Sequence, residues 1–100
     1  MMAKLVVTYP ATPGARFDVD YYLDTHIPLV RAKWAAHGLS DASALLPDQD
    51  DAPFAAIALL GFPDKASIEA ALGSPEAEAV FGDLPNFTDI APQPMFAKDA

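Results

Sequence analysis

Pro53-Phe54-Ala55-Ala56-Ile57-Ala58-Leu59-Leu60-Gly61-Phe62-Pro63 is the stretch whose reading decides the fold. The two prolines bracket a segment of strand length. Its alternating faces are Phe54, Ala56, Ala58, Leu60 and Phe62 on one side, and Ala55, Ile57, Leu59 and Gly61 on the other. Both are apolar, and a strand that is apolar on both faces is covered on both. An Ala-rich helix is the rival reading. The flanking prolines oppose it, because each removes a donor and restricts the residue before it.

Upstream, Leu5 to Tyr9 reads as a short β-branched strand stopped by the loop from Pro10 to Ala15. Asp18 suits the cap of a helix starting with Val19 to Asp24. Pro28 conflicts with an unbroken helix. The expected solution is a break near Asp24-Thr25, with Thr25 capping a second segment, Pro28 in its first turn and Gly38 ending it after His37. Ile27, Val30 and Trp34 would share that segment's buried face. Ser40 to Leu46 is a modest strand, followed by an acidic turn from Pro47 to Pro53.

Downstream, Asp64 caps a helix through Leu72, which Gly73 stops, and Ser74-Pro75 opens another as far as Phe81. Phe87 to Phe96 reads as a last strand, and Pro92 and Pro94, which each delete a ladder donor, make it an edge strand or an irregular one. The order β-α-β-β-α-β is the ferredoxin-like α+β plan, a four-stranded antiparallel sheet with helices on one face. The central strand's second apolar face then needs a cover. A second copy of the chain, sheet against sheet, supplies it.

Composition limits the partners. The chain has 100 residues, enough for one core, so residues 1–100 are read as one domain. A hydrophobic share of 52% is too high for disorder. Six Lys and Arg against fourteen Asp and Glu leave a net charge of −8, which opposes binding to nucleic acid or to an anionic membrane. The absence of cysteine excludes disulfides and thiol catalysis. The start, Met1-Met2-Ala3-Lys4, does not read as a secretory signal, so a cytoplasmic location is expected. The longest apolar run, from Ala52 to Pro63, is far short of the ~20 residues of a spanning helix.

The chemistry-bearing residues gather between Arg16 and Leu29. Phe17, Tyr21-Tyr22 and His26-Ile27-Pro28-Leu29, preceded by Tyr9-Pro10, form a pattern that resembles the first strand and helix of the EthD family. The resemblance spans roughly residues 5 to 39. It implies a dimeric α+β barrel with a pocket between sheet and helices in each subunit, and most members need no metal or organic cofactor, although the superfamily has haem-binding branches. Relatives include cyclases, decarboxylase-like or oxygenase-like proteins and accessory proteins of catabolic pathways.

His26 is the candidate catalytic residue, since imidazole titrates near neutral pH and suits proton transfer. At the start of a capped segment it would feel the helix dipole, which favours the neutral base, whereas Asp20 and Asp24 would favour the imidazolium. The alternative is a structural His26 that holds the kink at Pro28. Tyr9, Tyr21, Tyr22 and Trp34 are the candidate ligand-binding residues, with ordinary aromatic packing as the rival reading of each. Tyr21 and Tyr22 diverge by about 100° on a helix and cannot face the same way. Tyr22 and His26 stack only if the helix runs unbroken.

Asp89 falls on the face of the last strand shared by Phe87, Ala91, Gln93 and Met95, where it is either a buried acid or a solvated carboxylate. His37 suits a helix end. No third ligand joins the two histidines, and Asp48, Asp50 and Asp51 lack the glycine and glutamate of a calcium loop, so no metal site is expected. Three functions remain open. The chain is a binding or accessory protein for an apolar or aromatic small molecule, an enzyme using His26 as acid and base without a cofactor, or a haem-handling relative.

Overall fold

The computed structural model describes residues 3–100; the Met1-Met2 pair of the expected non-signal start lies outside them. Strand β1 is Ala3–Pro10, with Ala3, Leu5, Val7 and Tyr9 buried and the residues between them half-buried. Strand β2 is Asp41–Leu45, β3 is Phe54–Phe62 and β4 is Gln93–Lys98. The sheet order is β2-β3-β1-β4, antiparallel throughout. The helices lie on one face, which makes this the expected α+β, ferredoxin-like plan.

Position in the sheet explains the prolines. β1 and β3 are central, and neither has a proline before its last residue. Pro94 sits in β4 opposite Val7, on an edge strand where a missing donor costs least. β4 begins at Gln93, later than expected. Residues 87–92 form a loop tied back by the bridge between Phe17 and Thr88. Asp89 therefore leaves the strand face it was expected to share. It is exposed, and its Oδ1 accepts from the Arg16 backbone N–H at 2.8 Å.

The main correction is in the first helix. The helix α1 spans residues 19–34 without a break: α-helical over Val19–Tyr21, π-helical over Tyr22–His26 and α-helical over Ile27–Trp34. Asp18 caps its start, accepting from the Tyr21 N–H at 3.1 Å. Thr25 caps nothing. Ile27 keeps helical angles despite the following proline, and its N–H reaches back five residues to the Tyr22 carbonyl. One wider turn gives the Pro28 ring room, so a π-turn replaces the expected break. A 3-10 turn, Ala35–His37, and left-handed Gly38 end the helix where Gly was expected to stop it.

Helix α2 is Lys65–Leu72, capped by Asp64 through the Ser67 N–H at 2.8 Å. That bond holds the Asp64 carboxyl below its ordinary pKa. Helix α3 is Glu76–Gly82, and a 3-10 turn, Leu84–Asn86, follows it. The Ser74 hydroxyl donates back to the Ala71 carbonyl instead of capping α3. His37 Nε2 meets Glu76 Oε1 at 2.7 Å, tying the end of α1 to the start of α3.

The core lies between helices and sheet, with Trp34, Tyr22, Phe62, Phe87, Leu5 and Ile68 fully enclosed. The opposite sheet face carries Val6, Ile57 and Leu59, half-buried, flanked by Leu45 at 55% and Met95 at 57% exposure. β3 is thus apolar on both faces, but only one is covered by its own chain.

Candidate active site

An apolar cavity sits between the sheet and helices α1 and α3. Val7 and Tyr9 from β1 and Ala58 and Leu60 from β3 form its floor. Tyr22, His26, Val30 and Trp34 project from successive turns of α1, and Phe81, Leu84 and Pro92 stand at its outer side. It has about 30 Å³ of room for the centre of a water-sized sphere. One water occupies about 10–15 Å³ on that scale, so the cavity as it stands admits a small group but not a whole aromatic molecule.

The π-turn brings His26 to this cavity. Its ring is 3% exposed and packs on Phe87 at 4.6 Å between centroids and parallel to Tyr22 at 5.9 Å. Nδ1 lies 2.9 Å from Asp83 Oδ2. Asp83 ends α3 and is itself buried, at 8% exposure. Its other oxygen, Oδ1, accepts from the Tyr21 hydroxyl at 2.7 Å and from Asn86 Nδ2 at 2.9 Å.

These contacts set the protonation states. Burial alone would raise the Asp83 carboxyl, but the bonds from Tyr21, Asn86 and His26 together hold it below its ordinary pKa. Burial lowers the His26 pKa, and the Asp83 hydrogen bond and charge only partly offset it. Near pH 7 the pair is therefore neutral imidazole beside carboxylate. Nδ1–H donates to Asp83, and the lone pair is on Nε2, which has no hydrogen-bond partner among the described residues. Burial also raises the Tyr9 and Tyr22 hydroxyls well above their ordinary pKa, so both remain donors. Tyr22 Oη and Trp34 Nε1 are buried without a hydrogen-bond partner, although leaving such a group unpaired costs about 1–3 kcal/mol.

The same shift predicts a pH dependence of stability. The unfolded chain binds a proton on His26 near pH 6.5, whereas the folded chain binds it only at lower pH. Between those values the unfolded state holds more protons, so stability falls as pH falls through that window. Urea midpoints are expected to decline from pH 7 to pH 5, and less steeply in His26→Gln. Equal slopes would show that His26 is not the titrating group.

The structure brings Tyr9, Tyr22, His26 and Trp34 to one cavity. Tyr21 points elsewhere, onto Asp83, as the angular offset from Tyr22 requires. Its hydrogen bond to that carboxylate raises the Tyr21 hydroxyl's pKa. Asp20 and Asp24 are exposed on α1, and the carboxylate at His26 is Asp83 instead. Because the helix is continuous, His26 also lies away from any helix N-terminus, so burial and not a dipole keeps it neutral.

The EthD domain family matches residues 15–91, a span that holds the His26–Asp83 pair. The chain belongs to the EthD family. An EthD-like protein from Ralstonia eutropha JMP134 is 32% identical, with 97% of this chain and 90% of that one covered and a TM-score of 0.82. At the level of fold alone, the chain is similar to a dimeric ferredoxin-like protein of unknown function from Jannaschia sp. CCS1. That match has 17% identity, 99% and 100% coverage and a TM-score of 0.69. It is also similar in fold to SnoaB, a cofactor-independent oxygenase from Streptomyces nogalater. There the identity is 12%, the coverage 99% and 95% and the TM-score 0.67. No curated protein sequence matches the chain.

The EthD-like motif in α1 gave no sign of Asp83, which lies 57 residues from His26. Its only local mark is an acid directly after an apolar helix end, Val80-Phe81-Gly82-Asp83, a place where the helix dipole does not favour one. Haem does not fit these residues. His26 Nδ1 is engaged by Asp83, and Nε2 borders a cavity far too small for a macrocycle. His37 Nε2 is engaged by Glu76. Among the described residues no cluster of three or more His, Cys, Asp or Glu could hold a metal, and no helix is long and apolar enough to cross a membrane.

Proposed function

We propose that this EthD-family protein binds an apolar or aromatic small molecule and moves a proton on it, with His26 as general base and Asp83 holding its tautomer. The observation that carries this reading is the buried His26–Asp83 pair, which leaves Nε2 unpartnered beside an apolar cavity. In the proposed step Nε2 bonds to a proton as the C–H bond next to a carbonyl breaks. The electron pair moves to the carbonyl oxygen, giving an enolate, and the imidazolium formed is stabilised by the Asp83 carboxylate. Tyr9, Tyr22 and Trp34 line the same cavity and supply its aromatic walls.

Deuterium uptake from D2O tests the step without knowledge of the natural substrate. Wild-type protein is incubated with a panel of enolisable aryl ketones, and exchange is followed by NMR. Uptake above that of His26→Gln supports proton transfer. Ligands that bind and emerge without exchange would instead support the accessory, non-catalytic role.

The same reading includes a homodimer. Val6, Ile57, Leu59, Leu45 and Met95 form an apolar stripe on the helix-free sheet face, and a second copy would cover it. Light scattering over a dilution series is expected to give about twice the 10.6 kDa chain mass, and Ile57→Asp is expected to reduce it to one chain. A wild-type monomer at micromolar concentration would refute the pairing.

A further inference from the structure

Tyr21 does not line the cavity, yet its side chain is fixed along its whole length. Its backbone N–H donates to the Asp18 cap at 3.1 Å, which sets where the side chain leaves α1. Its ring stacks on Phe87, 20° from parallel and 6.1 Å between centroids. Its hydroxyl then donates to Asp83 Oδ1 at 2.7 Å. Asn86 Nδ2 donates to the same oxygen at 2.9 Å, and the Asn86 N–H donates to the Asp83 carbonyl at 3.0 Å, which closes a turn between the two residues. The Arg16 guanidinium donates to the Pro85 and Asn86 carbonyls and pins that turn to the loop before α1.

The two carboxylate oxygens of Asp83 are thereby divided. Oδ1 takes a donor from half-buried Tyr21 and another from exposed Asn86, and Oδ2 is left for His26 Nδ1 at 2.9 Å. A carboxylate free to turn about its own bond offers His26 either oxygen or neither. One gripped at Oδ1 from two directions keeps Oδ2 in place. Burial raises the Asp83 pKa, and of the bonds that overcome it the one from Tyr21 acts most strongly. Neutral imidazole has two tautomers, and only the one protonated on Nδ1 turns a base toward the cavity. Building on the proposed function, we infer that Tyr21 is a positioning residue of the proton-transfer site. It acts through two other side chains, fixing the Asp83 carboxylate so that Oδ2 keeps the His26 proton on Nδ1 and the Nε2 lone pair faces the cavity.

Tyr21→Phe removes one oxygen and keeps both the ring on Phe87 and the backbone bond to Asp18, so a cooperative melt is expected. The chain has two histidines, and His37→Gln identifies which imidazole signals belong to His26. In ligand-free protein with nitrogen-labelled histidine, wild type is expected to show a downfield Nδ1–H proton and an unprotonated Nε2. Tyr21→Phe is expected to move that proton upfield and to populate the tautomer protonated on Nε2. Asn86→Ala, at an exposed side chain, tests the other donor to Oδ1 and is expected to shift the signal in the same direction. Deuterium exchange on the aryl ketones is expected to fall about tenfold in Tyr21→Phe, within the worth of a hydrogen bond to a charged group.

An Nδ1–H signal that stays in place in Tyr21→Phe would overturn the inference. So would a move further downfield, which would show that Tyr21 only draws charge from a carboxylate already held without it. Wild-type exchange that His26→Gln abolishes and Tyr21→Phe leaves intact would remove Tyr21 alone. The tautomer is read without any ligand. An upfield shift in Tyr21→Phe, with no exchange even in wild type, would support the positioning and refute the proton-transfer reading alone.

Discussion

His26→Gln is expected to slow deuterium exchange by about 10²–10⁴-fold, the usual contribution of a positioned general base. Glutamine fills similar space and keeps a hydrogen-bonding end toward Asp83, so the aromatic packing on Phe87 and Tyr22 is largely preserved. It has no lone pair that accepts a proton near neutral pH. Asp83→Asn is expected to act in the same direction for a different reason. An asparagine amide can donate to Nδ1, which favours the tautomer protonated on Nε2, and that form presents no base to the cavity. A nitrogen–proton correlation through the imidazole ring would show the tautomer directly, with wild type protonated on Nδ1 and Asp83→Asn shifted toward Nε2. An exchange rate unchanged in His26→Gln would end the general-base reading.

Phe87→Ala is expected to cost about 3–5 kcal/mol, the range for truncating a buried aromatic. Phe87 is fully enclosed, and its ring lies within 6.1 Å, centroid to centroid, of Tyr9, Phe17, Tyr21, Tyr22 and His26. No other side chain touches as much of the site's aromatic wall, and truncation leaves a hole beneath the His26 ring. A domain of this size holds about 5–15 kcal/mol in all, so the variant is expected to be close to unfolding. Each kcal/mol lowers Tm by about 4–8 °C at this chain length. Phe96→Ala is the control. Phe96 is 40% exposed on the edge strand beneath Lys65, and its loss is expected to cost under about 1 kcal/mol. Similar Tm values for the two variants would show that Phe87 is not the keystone of the cluster.

The sequence by itself determined the order of the elements and most of their ends. Alternation in β1, the proline brackets of β3 and the Asp64 cap with its Gly73 stop are local signals, each written within a few residues. The motif from Phe17 to Leu29 identified the family, because its residue types lie close together in the chain and are read together. The π-turn was not legible. Pro28 announces that a regular helix is strained, but only packing against the sheet selects a widened turn over a break. The start of β4 was misread for a similar reason. Phe87 is apolar enough for a strand, yet the bridge from Phe17 to Thr88 draws it into the aromatic cluster instead. Only the tertiary structure decided the site. His26 and Asp83 are joined by α3 packing on α1, and no local spacing rule connects residues that meet only when two helices cross the same sheet. Burial then fixed their charges, and burial belongs to the folded chain rather than to either residue.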